Sequence, residues 1–370
     1  MTAPPAAPRS EGAPASGRKR LKRVVQAVLS LVIVVGIFVY AIPKIADYSA
    51  VWATLRDMTW LELASLVAAT IFNLFTYWLQ NMSALAGLKL GRSAILTQTT
   101  TSVANTLPAG GAVAVGLTYT ILGSWGFPPG AISLYVLVTG VWNVFMKLGL
   151  PVISLGLLAA TGRLTSALVL AAAIGVVLLL TAVAMFALML WKKEFARTIG
   201  DRLGRLVSFS SKIVRRPPVT GWGEAAVRFR KQTIRLVVRR WVQLTLTTIL
   251  SHLALYFVLL LSLRHVGVSE HEVSALQVLA VFAFGRLISA LPITPGGLGI
   301  VELGYIGGLV AAGGNHPQVV AAVLLFRALT YGIQIPLGGF TYMIWRAKKG
   351  WRAEPAASGL EPALTAEPQT

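Results

Sequence analysis

Leu291-Pro292-Ile293-Thr294-Pro295-Gly296-Gly297-Leu298-Gly299-Ile300-Val301-Glu302-Leu303-Gly304-Tyr305 breaks one apolar stretch of this chain, and Leu107-Pro108-Ala109-Gly110-Gly111-Ala112-Val113-Ala114-Val115-Gly116-Leu117-Thr118-Tyr119 breaks another. Allowing a two-residue gap, both read Leu-Pro and then Gly-Gly-x-x-x-Val-x-Leu-x-Tyr. Pro292 and Pro295 cannot continue a helix, and Gly296, Gly297 and Gly299 let backbone approach closely. Freed backbone groups at membrane depth are tolerated only where they face protein or a water-filled cavity. Matching breaks in two halves are therefore the sequence pointer to a transporter's binding site.

Working outward, the surroundings of both breaks are membrane-like. The mean hydropathy is +0.71, and 55% of the 370 residues are hydrophobic. Several apolar runs reach the roughly 20 residues that cross a bilayer as a helix. The expected fold is an all-α polytopic membrane protein with full spans near 24–43, 60–79, 131–158, 166–191, 241–263 and 319–345. The broken segments, near 93–126 and 274–314, have arms too short for comfortable crossings and read as re-entrant hairpins. The domain plan is a basic N-terminal tail (1–22), a first membrane half (23–191), a basic loop (192–240), a second membrane half (241–346) and a C-terminal tail (347–370).

The net charge of +20 arises from 33 Lys plus Arg against 13 Asp plus Glu. It is concentrated in tails and in one loop beside apolar spans, so anionic lipid headgroups rather than nucleic acid are the expected partners. The loop 192–240 carries 14 Lys plus Arg against 3 acids. By the positive-inside rule this loop and both termini are cytoplasmic. Counting crossings, the first broken segment then enters from the cytoplasm and the second from outside, the pattern of inverted repeats. Within the loop, Phe195, Ile199, Leu203 and Leu206 fall at helical spacing among basic residues, as in an interfacial amphipathic helix. Trp60, Trp78, Trp241, Trp345 and Trp351 lie near expected span ends and fit an aromatic belt.

Candidate chemistry gathers at the second break. Arg286 precedes it, Glu302 follows it and Arg327 lies in the last span; each charge at membrane depth costs at least ~2.5 kcal/mol on insertion scales, and such groups usually pair or line a path. Glu302 is expected to pair with Arg286 or Arg327, and Lys147 is the parallel candidate in the first half. A helix starting after Gly297 would present free N–H groups to a phosphate; a glycine-rich packing seam would give the same pattern. Tyr119 and Tyr305 occupy matching positions beyond the breaks. The expected translocation site comprises Arg286, Pro292, Pro295, Gly296, Gly297, Glu302, Tyr305 and Arg327, with Pro108, Gly110, Gly111 and Tyr119 from the first half. Asn105, Thr106 and Ser289 would add polar contacts. There is no Cys, no G-x-x-x-x-G-K-[ST] loop and no His cluster at metal spacing, so neither a cofactor nor a metal is expected.

The Pro-Gly-Gly-Leu-Gly-x-x-Glu element at 295–302, followed by Arg327-Ala328-Leu329-Thr330-Tyr331, resembles the lysylphosphatidylglycerol synthase transmembrane region family of flippase-like proteins. The resemblance implies a plasma-membrane protein whose relatives move aminoacylated phospholipid between leaflets, with Glu302 and Arg327 on prominent charged positions. The expected function is to bind or translocate a phospholipid or lipid-linked headgroup, anionic or aminoacylated. The family's first-half motif reads like Pro-Gly-Arg-x-Gly-Glu, whereas 108–113 has neither the Arg nor the Glu. A soluble aminoacyl-transfer domain is also absent from this sequence, so the expected role is not enzymatic. The rival expectation is a non-transporting partner of a lipid-modifying enzyme or glycosyltransferase, recruited through the basic loop.

Overall fold

A computed structural model describes residues 49, 52–53, 56–107, 110–161, 166–213, 222–290 and 294–348. Every regular element among them is helical. The helices are α1 (Trp60–Ala84), α2 (Leu90–Thr106), α3 (Gly110–Ser124), α4 (Pro129–Ala160), α5 (Ser166–Trp191) and α6 (Lys193–Ile213). They continue as α7 (Trp222–His265), α8 (Ala275–Ile288), α9 (Ile300–Ala311), α10 (His316–Arg327) and α11 (Gln334–Ala347). A 3₁₀ turn (Pro295–Gly297) precedes α9, and a π-helical turn (Ala328–Gly332) joins α10 to α11. The expected first span, 24–43, lies outside the described residues, as do Trp351, Pro108 and Pro292.

Five segments are long and apolar enough to cross a membrane: Trp60–Ala84, Pro129–Ala160, Ala173–Trp191, Ala226–His265 and His316–Ala347. The chain is a multi-pass membrane protein. Both broken segments resolve into pairs of shorter helices, α2 with α3 and α8 with α9, and the two arms of each pair pack together. At 17, 15, 14 and 12 residues, these arms fall below the roughly 20 needed for a full crossing.

Local sequence explains where these helices start. At the head of α1, Thr59 Oγ1 accepts the Glu62 N–H at 3.3 Å and Glu62 Oε2 accepts the Thr59 N–H at 2.7 Å. Ser274 and Gln277 form the same reciprocal cap on α8, each box satisfying N–H groups that a helix start leaves open. In α5 no residue of the window Ala173–Trp191 is fully buried, although Phe186 packs against Trp142 and Phe145 of α4. A helix apolar on every side and so largely exposed suits hydrocarbon rather than water.

The expected loop 192–240 is mostly helix. Residues Lys193–Ile213 form α6, amphipathic as its spacing predicts, and α7 runs unbroken through 240. Arg and Lys are good helix formers, so hydropathy marked where the apolar half begins and not where the helix does. The 44 residues of α7 measure about 66 Å at 1.5 Å per residue, twice a hydrocarbon core, so its basic half extends beyond the membrane.

Two apolar clusters hold the molecule together. One joins α7, α8, α9 and α10 through residues such as Leu259, Phe282, Ile306 and Val320; the other joins α1 to α4, α7 and α11 around Trp125, Ile121 and Leu244. In hydrocarbon, however, apolar contact alone drives helices together weakly, so polar groups and small residues matter more. Accordingly α1 and α7 are laced by Asn73 Nδ2 to Ser251 O at 3.0 Å and Gln80 Nε2 to Thr248 Oγ1 at 2.9 Å. The α8–α9 hairpin closes on glycine, with Gly304 against Ile288 and Gly308 against Val281. Trp60 is 81% exposed, as a belt residue should be, whereas Trp345 is 6% exposed and donates from Nε1 to Ser124 Oγ at 3.0 Å. It is core, not belt.

Candidate functional site

The second break is built around one ion pair. Glu302 stands on the first turn of α9 and is 0% exposed. Its Oε1 accepts the Arg327 Nε–H at 2.6 Å and its Oε2 accepts the Gly299 N–H at 2.6 Å. Gly299 has no side chain to return the bond, so only the carboxylate half of a capping box forms. Negative charge at a helix N-terminus is favoured by the helix dipole. The same charge repels a second anion there, so α9's N-terminus is not the phosphate seat its position suggests.

Arg327, the other partner, ties the break together. Its Nη2 donates to Gly296 O at 3.4 Å, and its guanidinium carbon lies 4.4 Å from the centre of the Tyr331 ring. It sits at the last residue of α10, where the π turn begins. A π turn adds a residue to the helical circuit and is often found where a side chain must be re-aimed. Here Arg327, Thr330, Tyr331 and Gln334 all reach one cavity.

Glycine is required at the break itself. Gly296, Gly297 and Gly299 have φ of 58°, 73° and 84°, a region that L side chains rarely enter. A Cβ on Gly296 would also lie 2.3 Å from the Tyr331 ring and 3.0 Å from Asn105 Oδ1. Tyr331 Oη donates to Asn105 O at 2.6 Å. Asn105 ends the first arm of the first break, so the two breaks meet at Gly296, Tyr331 and Asn105.

Between them lies a cavity of about 280 Å³. The first half contributes Asn73 and Tyr77 of α1, Thr97, Thr101 and Asn105 of α2, and Lys147 of α4. The second half contributes Arg286 of α8, Ser289 just after it, Gly296, Tyr305 of α9, and Arg327, Thr330, Tyr331 and Gln334. Tyr305 is fully buried, its ring parallel to Phe282 at 6.5 Å and edge-on to Phe326 at 5.7 Å.

The structure thus gathers Arg286, Gly296, Tyr305 and Arg327 at one cavity, with Glu302 immediately behind Arg327, Pro295 and Gly297 in the adjoining turn, and Lys147 added from the first half. Asn105 of the first half and Ser289 of the second also reach the cavity, whereas Gly110, Gly111 and Tyr119 do not line it, and Pro108 lies outside the described residues. Gly110 packs against the Ala104 and Val103 carbonyls to close the α2–α3 hairpin, and Gly111 faces open space. Tyr119 bonds Ser133 Oγ at 2.7 Å on an exposed face. Thr106 Oγ1 donates to Ser102 O and takes no part.

Sequence reading anticipated Asn105 and Ser289 but missed the polar rows to which the cavity's other groups belong. Thr97 and Thr101 precede Asn105 at i and i+4 on α2, and Asn73 and Tyr77 stand at i and i+4 on α1. Such spacing places a polar row on one helix face. That row was the available signal, but α2 was read for its apolar content and its break.

A family model described as lysylphosphatidylglycerol synthase TM region matches residues 27–338. No curated protein matches the chain. The matched span contains both hairpins and every cavity-lining residue.

Proposed function

Starting from the chain's membership of the lysylphosphatidylglycerol synthase TM region family, we propose that it binds a phospholipid headgroup, anionic or aminoacylated, in the cavity between the two breaks. It carries that headgroup across the plasma membrane and leaves the lipid chemically unchanged. In this reading the N-terminus, the 192–240 region and the C-terminus are cytoplasmic, and the two hairpins are inverted repeats that reach the cavity from opposite faces.

The observation that carries the reading is the cavity itself. It carries many polar side chains, lies where α2 of the first hairpin meets the second break, and is lined from eight of the eleven described helices. At about 280 Å³ it is near the lower end of ligand pockets, roughly 300 to 1,000 Å³, and matches a headgroup rather than a whole lipid. The acyl chains would stay in the bilayer, against exposed apolar side chains such as Val113, Leu107 and Phe340.

Leaflet exchange of labelled lipids in proteoliposomes tests this directly. The comparison is wild type, protein-free vesicles and Thr101→Phe, which fills the cavity from α2 without touching the Glu302–Arg327 pair. Exchange by wild type that the folded Thr101→Phe protein loses supports translocation through the cavity. Folded wild type that moves no lipid overturns it and favours the partner of a lipid-modifying enzyme.

A further inference from the structure

We infer that the cavity selects an anionic phosphate headgroup bearing free hydroxyls and rejects aminoacylated ones. The inference rests on the headgroup-binding reading above and decides between the two classes left open there.

The charge count is one-sided. Among the described residues three cations, Lys147, Arg286 and Arg327, line the cavity, and no carboxylate does. Glu302 is the nearest acid in the fold of the break, but it is fully buried behind Arg327, and both its oxygens are occupied. Arg327 is therefore neutralised and two cations remain. Among the described residues neither Lys147 nor Arg286 has an ion pair or a hydrogen bond, and the Arg286 Nε is a buried donor with no acceptor. The two side chains also repel each other.

Such an arrangement is costly when empty. Each uncompensated charge at low dielectric loses solvation, and two like charges add repulsion. One anion between them relieves all three penalties together. A phosphodiester suits the pair: Arg presents a planar fork to two phosphate oxygens, and Lys adds a point charge. A lysyl or other aminoacyl ammonium would instead bring a third free cation to a cavity with no carboxylate to receive it.

The neutral groups indicate what accompanies the phosphate. Asn73 spends its amide on Ser251 O, Thr97 its hydroxyl on Ser93 O, and Gln334 its amide on Thr330 O. By contrast, the Tyr77 hydroxyl, the Thr101 hydroxyl and the Asn105 side-chain amide line the cavity with no protein hydrogen bond among the described residues. Donors and acceptors left open beside a phosphate seat match the hydroxyls of a glycerol or larger polyol. Aminoacylation would consume one such hydroxyl as well as adding the ammonium.

The test measures binding of short-chain phosphatidylglycerol, its lysyl ester, phosphatidylcholine and free glycerol 3-phosphate to the purified full chain. Phosphatidylglycerol is expected to bind at least about tenfold tighter than the lysyl ester, the size of one charge-assisted hydrogen bond. Lys147→Gln and Arg286→Gln are each expected to weaken it by about the same factor while raising the melting temperature of the empty protein, since each removes an uncompensated buried cation. A purely structural role would lower both. Equal or tighter binding of the lysyl ester overturns the selectivity and leaves headgroup binding standing. Glycerol 3-phosphate binding as tightly as the lipid shows a soluble anion to be the ligand and overturns the lipid assignment. Failure of every lipid to bind the folded protein overturns the reading beneath it.

Discussion

Glu302 carries a charge whose loss strands its partner. Breaking a buried ion pair by removing one member costs roughly 3 to 5 kcal/mol, because the remaining charge keeps its desolvation penalty. Glu302→Gln keeps an acceptor for the Gly299 N–H but leaves Arg327 uncompensated. We expect thermal unfolding in detergent to show destabilisation near the lower end of that range, and Glu302→Gln with Arg327→Gln together to recover part of it. Additive losses would show that the pair is not coupled. Gly285 gives a sharper test of which effect wins. Helix propensity favours Ala over Gly by about 1 kcal/mol in a helix interior, yet a Cβ at 285 would lie 2.1 Å from the Tyr305 ring. Overpacking typically costs ~1 to 3 kcal/mol, so Gly285→Ala should lower the melting temperature and displace Tyr305 from the cavity wall. A raised melting temperature would show that the ring yields freely.

At the scale of elements, α2 and α11 form the seam that joins the first break to the last span. Gly338 makes the seam possible: a Cβ there would lie 2.2 Å from Ser102 Cβ and 2.4 Å from Gln98 O. Thr99 and Thr341 share a 3.0 Å hydrogen bond beside it. Gly338→Leu should force the helices apart, separating Asn105 from Tyr331 and opening the cavity. Lipid exchange should fall at least tenfold, whereas Gly339→Leu, at a position with nothing within 4 Å, should leave exchange near wild type. Equal effects would remove the seam from the argument. These elements were unevenly legible in the sequence. Proline, glycine and apolar length located α1, α4, α5 and both hairpins, because those signals are local. The basic half of α7 was read as loop because charge masks helix in a hydropathy reading. The cavity's polar row needs both the helical period and the identity of the neighbouring helices, and only folding supplies the second. Glu302 and Arg327 stood out because charge in an apolar stretch is rare. Which of Arg286 and Arg327 would pair with Glu302 was undetermined, since a separation of 25 positions says nothing about where α10 returns.

For the molecule as a whole, orientation decides from which leaflet the cavity is entered. The charge asymmetry argues for a cytoplasmic α6 and basic half of α7, and counting crossings then puts the mouths of the two hairpins on opposite faces. With no native Cys, single cysteines report accessibility against a silent background. Lys89, Arg202, His271 and Asn315 are all exposed: Lys89 opens the first hairpin, Arg202 lies on α6, His271 precedes α8, and Asn315 follows α9. A membrane-impermeant thiol reagent applied to intact cells should label His271→Cys and Asn315→Cys, and should reach Lys89→Cys and Arg202→Cys only after permeabilisation. The reverse pattern would invert the protein and the leaflet from which headgroups enter, leaving the inverted repeat intact. Labelling of Lys89→Cys and Asn315→Cys from the same side would instead break the repeat, because both hairpins would then descend from one face. In that case the unpaired Lys147 and Arg286 would serve a headgroup held from one leaflet alone, and binding without exchange would be the expected result in proteoliposomes.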